Sequence, residues 1–352
     1  MKMLSARQIR YAIAALKFLI NLAALGATFA TILGFFGNHA WFLEIFNHPR
    51  TYGNPAWFLE LLDHPRPQYC LILAIALMIG GIFRQKWCFF WCLPLSVNLI
   101  LIVPLFLPPS SPFNPLNNFP QILLTIIHSN LDVHNQQYAA TIQYLESQNA
   151  DIILLQEVTP AWLNYLQSHL KKYRIETALP RENTHGVAML IPNQLSKSLT
   201  ILQSQIIHLP SGSPRPMIEL IIREQNREVA ILSISTTRST HPGTSEFQQA
   251  EFKAVADWSL SQQQAQKRSV IIIGDFNSTP WSNRFRQFLR DGNLNNSQRG
   301  FGLQPTWPTG FPFPLMIPID HCLHSESIQT FYRTPGPDIG SDHLPLLVKF
   351  QL

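Results

Sequence analysis

At 352 residues, with 46% hydrophobic and only 13% charged side chains, the chain exceeds one average domain and contains one portion far more apolar than the rest. Its formal charge of +5 is uneven: 8 Lys and Arg precede Pro109 against 3 Asp and Glu, whereas the 18 that follow are matched by 18 acids. A neutral C-terminal portion argues against a nucleic-acid binder working through a broad basic face, which needs clustered cations to displace counterions.

Tyr11 to Phe36 carries one charge, Lys17, over a length that exceeds the roughly 20 residues needed to cross a hydrocarbon core. A spanning helix is predicted there, the stretch being too long for the apolar core of a signal peptide. The segment after it is duplicated: AWFLEIFNHPR over 40–50 returns as AWFLELLDHPR over 56–66. Each copy fits either a short interfacial helix or a tolerated loop insertion. Gln68 to Phe83 and Trp87 to Leu107 are two further apolar blocks separated by Arg84 and Lys86, which predicts a helical hairpin whose first arm is short for a span.

Lys2, Arg7 and Arg10 before the first helix, with Arg84 and Lys86 in the hairpin, place both segments in the cytoplasm by the positive-inside tendency. Three crossings then leave the C-terminal portion extracytoplasmic, and a count of two would reverse it. The expected organisation is a multi-pass membrane region over 1–107, a Pro- and Asn-rich tether over 108–120 and a folded domain over 121–352.

In that domain, apolar runs such as ILLTIIHS, DIILLQE and SVIIIGD alternate with helical patterns around Tyr138 to Leu145, Trp162 to Leu170 and Glu246 to Gln266, an α/β reading with a sheet-rich middle. Cys322 is the only cysteine there, so neither an intradomain disulfide nor a cysteine zinc site can form.

Acidic and amide residues recur where apolar runs stop: Asn130 and Asp132, Glu157, Asp275 and Asn277, Asp320, and Asp342 with His343. Strand ends are where an α/β fold exposes side chains. Oxygen donors of this kind suit a hard cation such as magnesium, with manganese as a substitute, and a histidine beside a carboxylate suits acid/base work or phosphate contact. Singly, each residue is as well explained as a turn former or helix cap; their joint order is the informative feature.

That order, with LLQEV, GDFNSTPW, the IDH at 319–321 and GSDHLP, resembles the endonuclease/exonuclease/phosphatase family, which includes DNase I-like nucleases, inositol-polyphosphate phosphatases and bacterial sphingomyelinases. The hydrophobic helices, DHPRPQY at 63–69 and TWP at 306–308 are most similar to a bacterial membrane-anchored branch. The resemblance implies a four-layered α-β-β-α sandwich and a magnesium-dependent phosphoesterase. It implies Glu157 as metal ligand, with Asn130, Asp132 and Asp342 completing or orienting the shell. Asp275 would activate the attacking water, Asn277 hold the phosphate or nucleophile, and His343 contact the phosphate with Asp320 behind it.

One departure stands out: the family's His or Tyr before the long helix falls here on Ser235 to Thr237 of VAILSISTTRSTHP. Either a loop brings His241 inward or another group substitutes. Arg238 with His241 is assigned to substrate binding, and His185, Arg215 and Arg299 are further candidates for a cationic groove. The implied partners are membrane lipid and a phosphoester substrate, whether lipid head group, small phosphoester or nucleic acid; no protein partner is identifiable. The alternative is a membrane-anchored protein that keeps the fold and binds phosphate ligands with weak or lost turnover.

Overall fold

The computed structural model describes residues 5–36, 56–108, 123–196 and 198–352, which fall into two compact units, one built on the chain up to Pro104 and one on most of the remainder. The first copy of the repeat and nearly all of the 108–120 tether lie outside the described residues.

In the first unit, α1 spans Ala6–Gly34. It begins earlier than hydropathy predicts because Ser5 and Gln8 form a reciprocal capping box, which satisfies two backbone donors the helix would otherwise leave open. The second repeat copy contributes the single-turn-plus helix α2, Ala56–Leu61, and α3 covers Arg66–Ile82. The last apolar block is divided: a 3-10 turn over Lys86–Trp91 precedes α4, Cys92–Ile102. Pro94 falls in the first turn of α4, where its missing N–H costs nothing. Small residues let α1 and α3 approach closely, with Ala24, Ala27 and Ala76 buried beside Tyr69 and Leu73.

A buried polar chain crosses this unit: Arg66 pairs with Asp63 and donates to Asn98 at 2.9 Å, and Asn98 donates to Thr31 at 2.8 Å. Ala6–Gly34 and Lys86–Leu105 are long and apolar enough to cross a membrane, while Arg66–Ile82, at 17 residues, is shorter.

The second unit is two six-stranded mixed sheets. Its strands are β1 Leu123–Asn130, β2 Ile152–Gln156, β3 Tyr173–Leu179, β4 Val187–Pro192, β5 Leu199–Ile207, β6 Met217–Glu224, β7 Arg227–Ser235, β8 Ser269–Asp275, β9 Asn295–Asn296, β10 Asp320–His324, β11 Gln329–Pro335 and β12 Leu346–Gln351. Spatial order is β11-β12-β1-β2-β4-β3 in one sheet and β5-β6-β7-β8-β10-β9 in the other. Helices α5 (Tyr138–Ser147), α6 (Pro160–His169), α7 (Pro242–Leu260) and α8 (Asn283–Asp291) join them. Two parallel pairs, β1 with β2 and β7 with β8, are each closed by a crossover helix, α5 and α7, as parallel pairing demands.

Central strands such as β1 and β8 are buried on both faces, which is why LLTIIHSN and SVIIIGD are nearly continuous apolar runs. One core, including Ile126, Leu154, Ile231 and Ile273, fills the space between the sheets. A second packs Leu145, Trp162 and Leu166 of α5 and α6 on the first sheet, and a third packs Phe252, Val255 and Phe288 of α7 and α8 on the second. The layering is helix, sheet, sheet, helix, the expected four-layer sandwich.

Candidate active site

The inter-sheet core determines which side chains meet. Ile126, Leu154, Ile231, Ile273 and Cys322 all point into it, and residues two apart on a strand share a face. His128 and Asn130, Gln156, Ser235, Asp275 and Asp320 therefore turn toward the same space, where apolar filling gives way to polar groups. Sequence reading places Asp320 at the end of an apolar run; it instead begins β10. Because β10 is antiparallel to β8, its first residue is the partner of the last residue of β8, Asp275.

Asp320 is fully buried between two imidazoles, with His128 Nε2 at 2.9 Å from Oδ1 and His343 Nδ1 at 2.8 Å from Oδ2. The other ring nitrogen of His343 lies 3.9 Å from Asp275 Oδ2 and 3.9 Å from Asp342 Oδ1. Burial alone would raise the pKa of Asp320, but the charge of His343 and the hydrogen bonds from both imidazoles outweigh it and hold the group well below the carboxylate range. Burial likewise opposes the charged form of His343; Asp320 and then Asp275 overcome it and raise that pKa to about 10. Asp275 moves the other way. Desolvation exceeds the attraction of His343, and Asp320 adds repulsion, so its pKa is pushed up to about 7.

Asn277 fastens Asp275: its N–H donates to Oδ1 at 2.8 Å, and its side-chain amide donates to Oδ2 at 3.1 Å and to the Thr236 carbonyl at 2.9 Å. Glu157 follows β2, taking hydrogen bonds from Asn130 Nδ2 at 3.1 Å and from the Val133 N–H at 3.2 Å. Asp132, Glu157 and Asn277 have φ of +59°, +59° and +46°, left-handed conformations that cost non-glycine residues on the order of 1–3 kcal/mol each and that cluster where function over-determines the backbone.

Asp275, Asp320 and His343 offer ligand atoms within 4.8 Å of one another. Both Asp320 oxygens already accept imidazole N–H groups, however, so a cation there would have to displace the imidazolium. Glu157 is the better fit for a hard cation. Desolvation raises its pKa despite the bonds from Asn130 and Val133 and the charge of His343, so this half-buried carboxylate is incompletely compensated, and a carboxylate oxygen is the donor a hard cation takes. Asp342 is exposed at the rim, accepting the Trp307 indole N–H at 3.0 Å. Asp132 is engaged in the turn after β1, accepting from the His134 N–H at 2.9 Å.

The guanidinium of Arg238 is exposed and stacks over Trp307 at 4.7 Å. His241 is exposed just before α7.

Two residues escaped the sequence reading. His128 shares Asp320 with His343, and alternation from Asn130 back along β1 marks it. Gln156 spans the sheets, donating to the Ile234 carbonyl and accepting from the Asp275 N–H at 3.3 Å; a Cβ on Gly274 would collide with that carbonyl and crowd the Gln156 amide, so this approach requires glycine.

This fold is shared with solved structures. TDP2 of D. rerio, crystallised with single strand DNA product, matches at 16% identity and TM-score 0.53 over 65% of this chain and 99% of its own. A mannosyl-6-phosphatase of Bacteroides thetaiotaomicron matches at 16% identity and TM-score 0.53 over 65% and 100%, and another protein of that organism, from the endonuclease/exonuclease/phosphatase family, at 16% and 0.54 over 66% and 98%. No curated protein matches by sequence. The sequence pattern of the family matches residues 128–343, from the histidine that shares Asp320 to the histidine on its other side. The chain belongs to the Endonuclease/Exonuclease/phosphatase family.

Proposed function

We propose that this chain is a membrane-tethered, magnesium-dependent phosphoesterase that hydrolyses a phosphodiester or phosphomonoester by in-line attack of water. The observation that carries the reading is the pairing of two groups of opposite tuning. Asp275, at about 7, is poised to take a proton near neutral pH, while His343 remains an imidazolium because Asp320 stands behind it.

In this mechanism Asn277 orients the Asp275 carboxylate toward the water, whose proton passes to Asp275. His343 offers its outward N–H to a phosphoryl oxygen, stabilising charge as it develops. Glu157, oriented by Asn130, would hold magnesium, or manganese in its place, together with Asp342 and Asp132. The ion would supply Lewis-acid polarisation of the phosphoryl group.

The neutral charge of 121–352 and the apolar helices of the first unit favour a lipid head group or small phosphoester over long nucleic acid. The named relatives, one seen with a DNA product and one a sugar phosphatase, support phosphoester chemistry in general. The N-terminal helices are assigned to a multi-pass anchor with the catalytic unit extracytoplasmic, and the boundaries 1–107, 108–120 and 121–352 to anchor, tether and enzyme.

Glu157→Gln tests the metal assignment: magnesium titration of hydrolysis should require at least about tenfold more ion than in the wild type. An unchanged magnesium requirement would remove Glu157 from the metal site. Ser235 to Thr237, standing where a His or Tyr is expected, favour the second reading, a phosphate-ligand-binding protein with weak turnover; tight magnesium-independent binding without product would select it.

A further inference from the structure

The end of β7 lacks the expected imidazole or phenol, yet it is not bare. Arg215, half-buried in the loop before β6, directs its guanidinium there. Nε donates to Thr237 Oγ1 at 3.1 Å and Nη1 to Ser235 Oγ at 3.3 Å. Ser235 is the strand partner of Asp275, and by alternation both side chains face the cleft between the sheets.

The hydroxyl that receives Arg215 is itself fixed. Thr237 donates its N–H to Glu251 Oε2 at 2.7 Å and its hydroxyl to Oε1 at 3.2 Å, and Glu251 is fully buried on α7. A hydroxyl that gives its one proton to Glu251 keeps lone pairs for Arg215, so the relay has a single polarity. Two of the three guanidinium nitrogens are thereby held, and among the described residues Nη2 makes no hydrogen bond. Arg181 and His185, in the loop between β3 and β4, add positive surroundings: burial first, then the charges of Arg215 and Arg181, lower the His185 pKa.

We infer that Arg215 is the substrate-contacting cation at this edge, binding the phosphoryl group where an imidazole or phenol was expected, with Ser235, Thr237 and Glu251 as its positioning residues. A planar fork with donors to spare suits a phosphate oxygen pair. A guanidinium does not surrender its proton. In hydrolysis the leaving oxygen therefore departs with its electron pair beside a fixed positive charge and takes its proton from solvent, while the proton of the attacking water goes to Asp275. The ligand class rests on the phosphoesterase reading; the role of Arg215 is tested by binding, apart from turnover.

The test is calorimetric titration of inorganic phosphate into the full chain in detergent micelles with magnesium, for wild type, Arg215→Ala, Arg215→Lys and Thr237→Val. Arg215→Ala should weaken the phosphate Kd by about tenfold to a hundredfold, the loss expected of charge-assisted hydrogen bonds. Arg215→Lys should recover part of it and guard against a folding defect in the alanine variant. Thr237→Val should weaken binding less than Arg215→Ala. Equal affinity in wild type and both Arg215 variants, or no phosphate binding by the wild type at millimolar concentration, overturns the inference. Arg215-dependent binding by a wild type that hydrolyses no ester would uphold it while sinking the hydrolase reading.

Discussion

Replacing Asp320 by Asn removes one charge without changing shape, at the point where the site's electrostatics converge. The carboxylate accepts from His128 at 2.9 Å and from His343 at 2.8 Å; an amide offers one acceptor oxygen and points N–H groups at the remaining imidazole. Uncoupling a buried pair of this kind costs about 3–5 kcal/mol. His343 is raised from 6.5 to about 10, with Asp320 the largest of the raising influences against burial. Its folded pKa exceeds its unfolded one, so its stabilisation is complete below 6.5 and lost as pH climbs through about 10. In Asp320→Asn that contribution shrinks and the pKa moves down. The assay is NMR titration of ¹³Cε1-labelled histidine in the metal-free protein, beside hydrolysis at neutral pH. The wild-type His343 resonance should stay at its charged position through pH 8, and the variant should titrate below it with a rate loss of about 10²- to 10⁴-fold. A wild-type His343 titrating at its ordinary value, or a variant that stays charged to the same pH, would show that Asp320 does not hold the imidazolium.

Gly274→Ala should destabilise the fold by about 1–3 kcal/mol or more and lower activity, because the new methyl meets the Ile234 carbonyl and the Gln156 amide; a denaturant midpoint equal to that of the wild type would show that the crossing of Gln156 is dispensable. Glu251, buried, has its pKa raised from 4.5 to about 7, by desolvation against the hydrogen bonds from Thr237 and the pull of Arg215. A raised acid stabilises the fold below 4.5 and loses that contribution as pH rises through about 7, so the stability of the wild type relative to Glu251→Gln should fall by about 3 kcal/mol between pH 4 and pH 8. Thermal unfolding across that range checks it, and a constant difference would mean that Glu251 ionises as readily folded as unfolded.

Much of the site was legible because this architecture ends its buried strands at one edge. Asn130, Glu157 and Asp275 stand at or just after the last residues of β1, β2 and β8, and apolar runs that stop at an acid or amide announce such positions. Ser235, where the family's His or Tyr position falls, is likewise the last residue of β7. What was not legible depends on partners distant in sequence. His128 reads as part of an apolar strand until Asp320, 192 residues on, is placed beside it. Gln156 reads as the last core residue of β2 until the second sheet supplies the Ile234 carbonyl. Arg215 was one surface arginine among several; only the fold brings Ser235 and Thr237 under its guanidinium.

Strand direction was the other gap. The MIPID run stops at Asp320 and suggests a strand ending there, yet Ile317 makes only an isolated bridge with Trp307 and the strand starts at Asp320. Hydropathy alone does not say which way a strand runs, whereas the pairing of Asp320 with Asp275 requires the antiparallel arrangement. In the first unit, apolar blocks located the helices but not their ends: the Ser5 capping box extends α1, and a 3-10 turn divides the last block before Pro94.

The most direct test of the account is Asp275→Asn in the full chain, assayed with and without magnesium on mono- and diester model phosphates and on sphingomyelin, with thermal unfolding alongside. The amide relieves the burial penalty on the ionised carboxylate but turns an N–H group toward one of the Asn277 donors, so thermal unfolding establishes that the variant is folded before its rate is compared. Magnesium-dependent hydrolysis by the wild type should meanwhile fall by at least about 10²-fold in the variant. Hydrolysis that survives the substitution at the wild-type rate would contradict Asp275 as the group that takes the proton from water, and with it the proposed chemistry of this site.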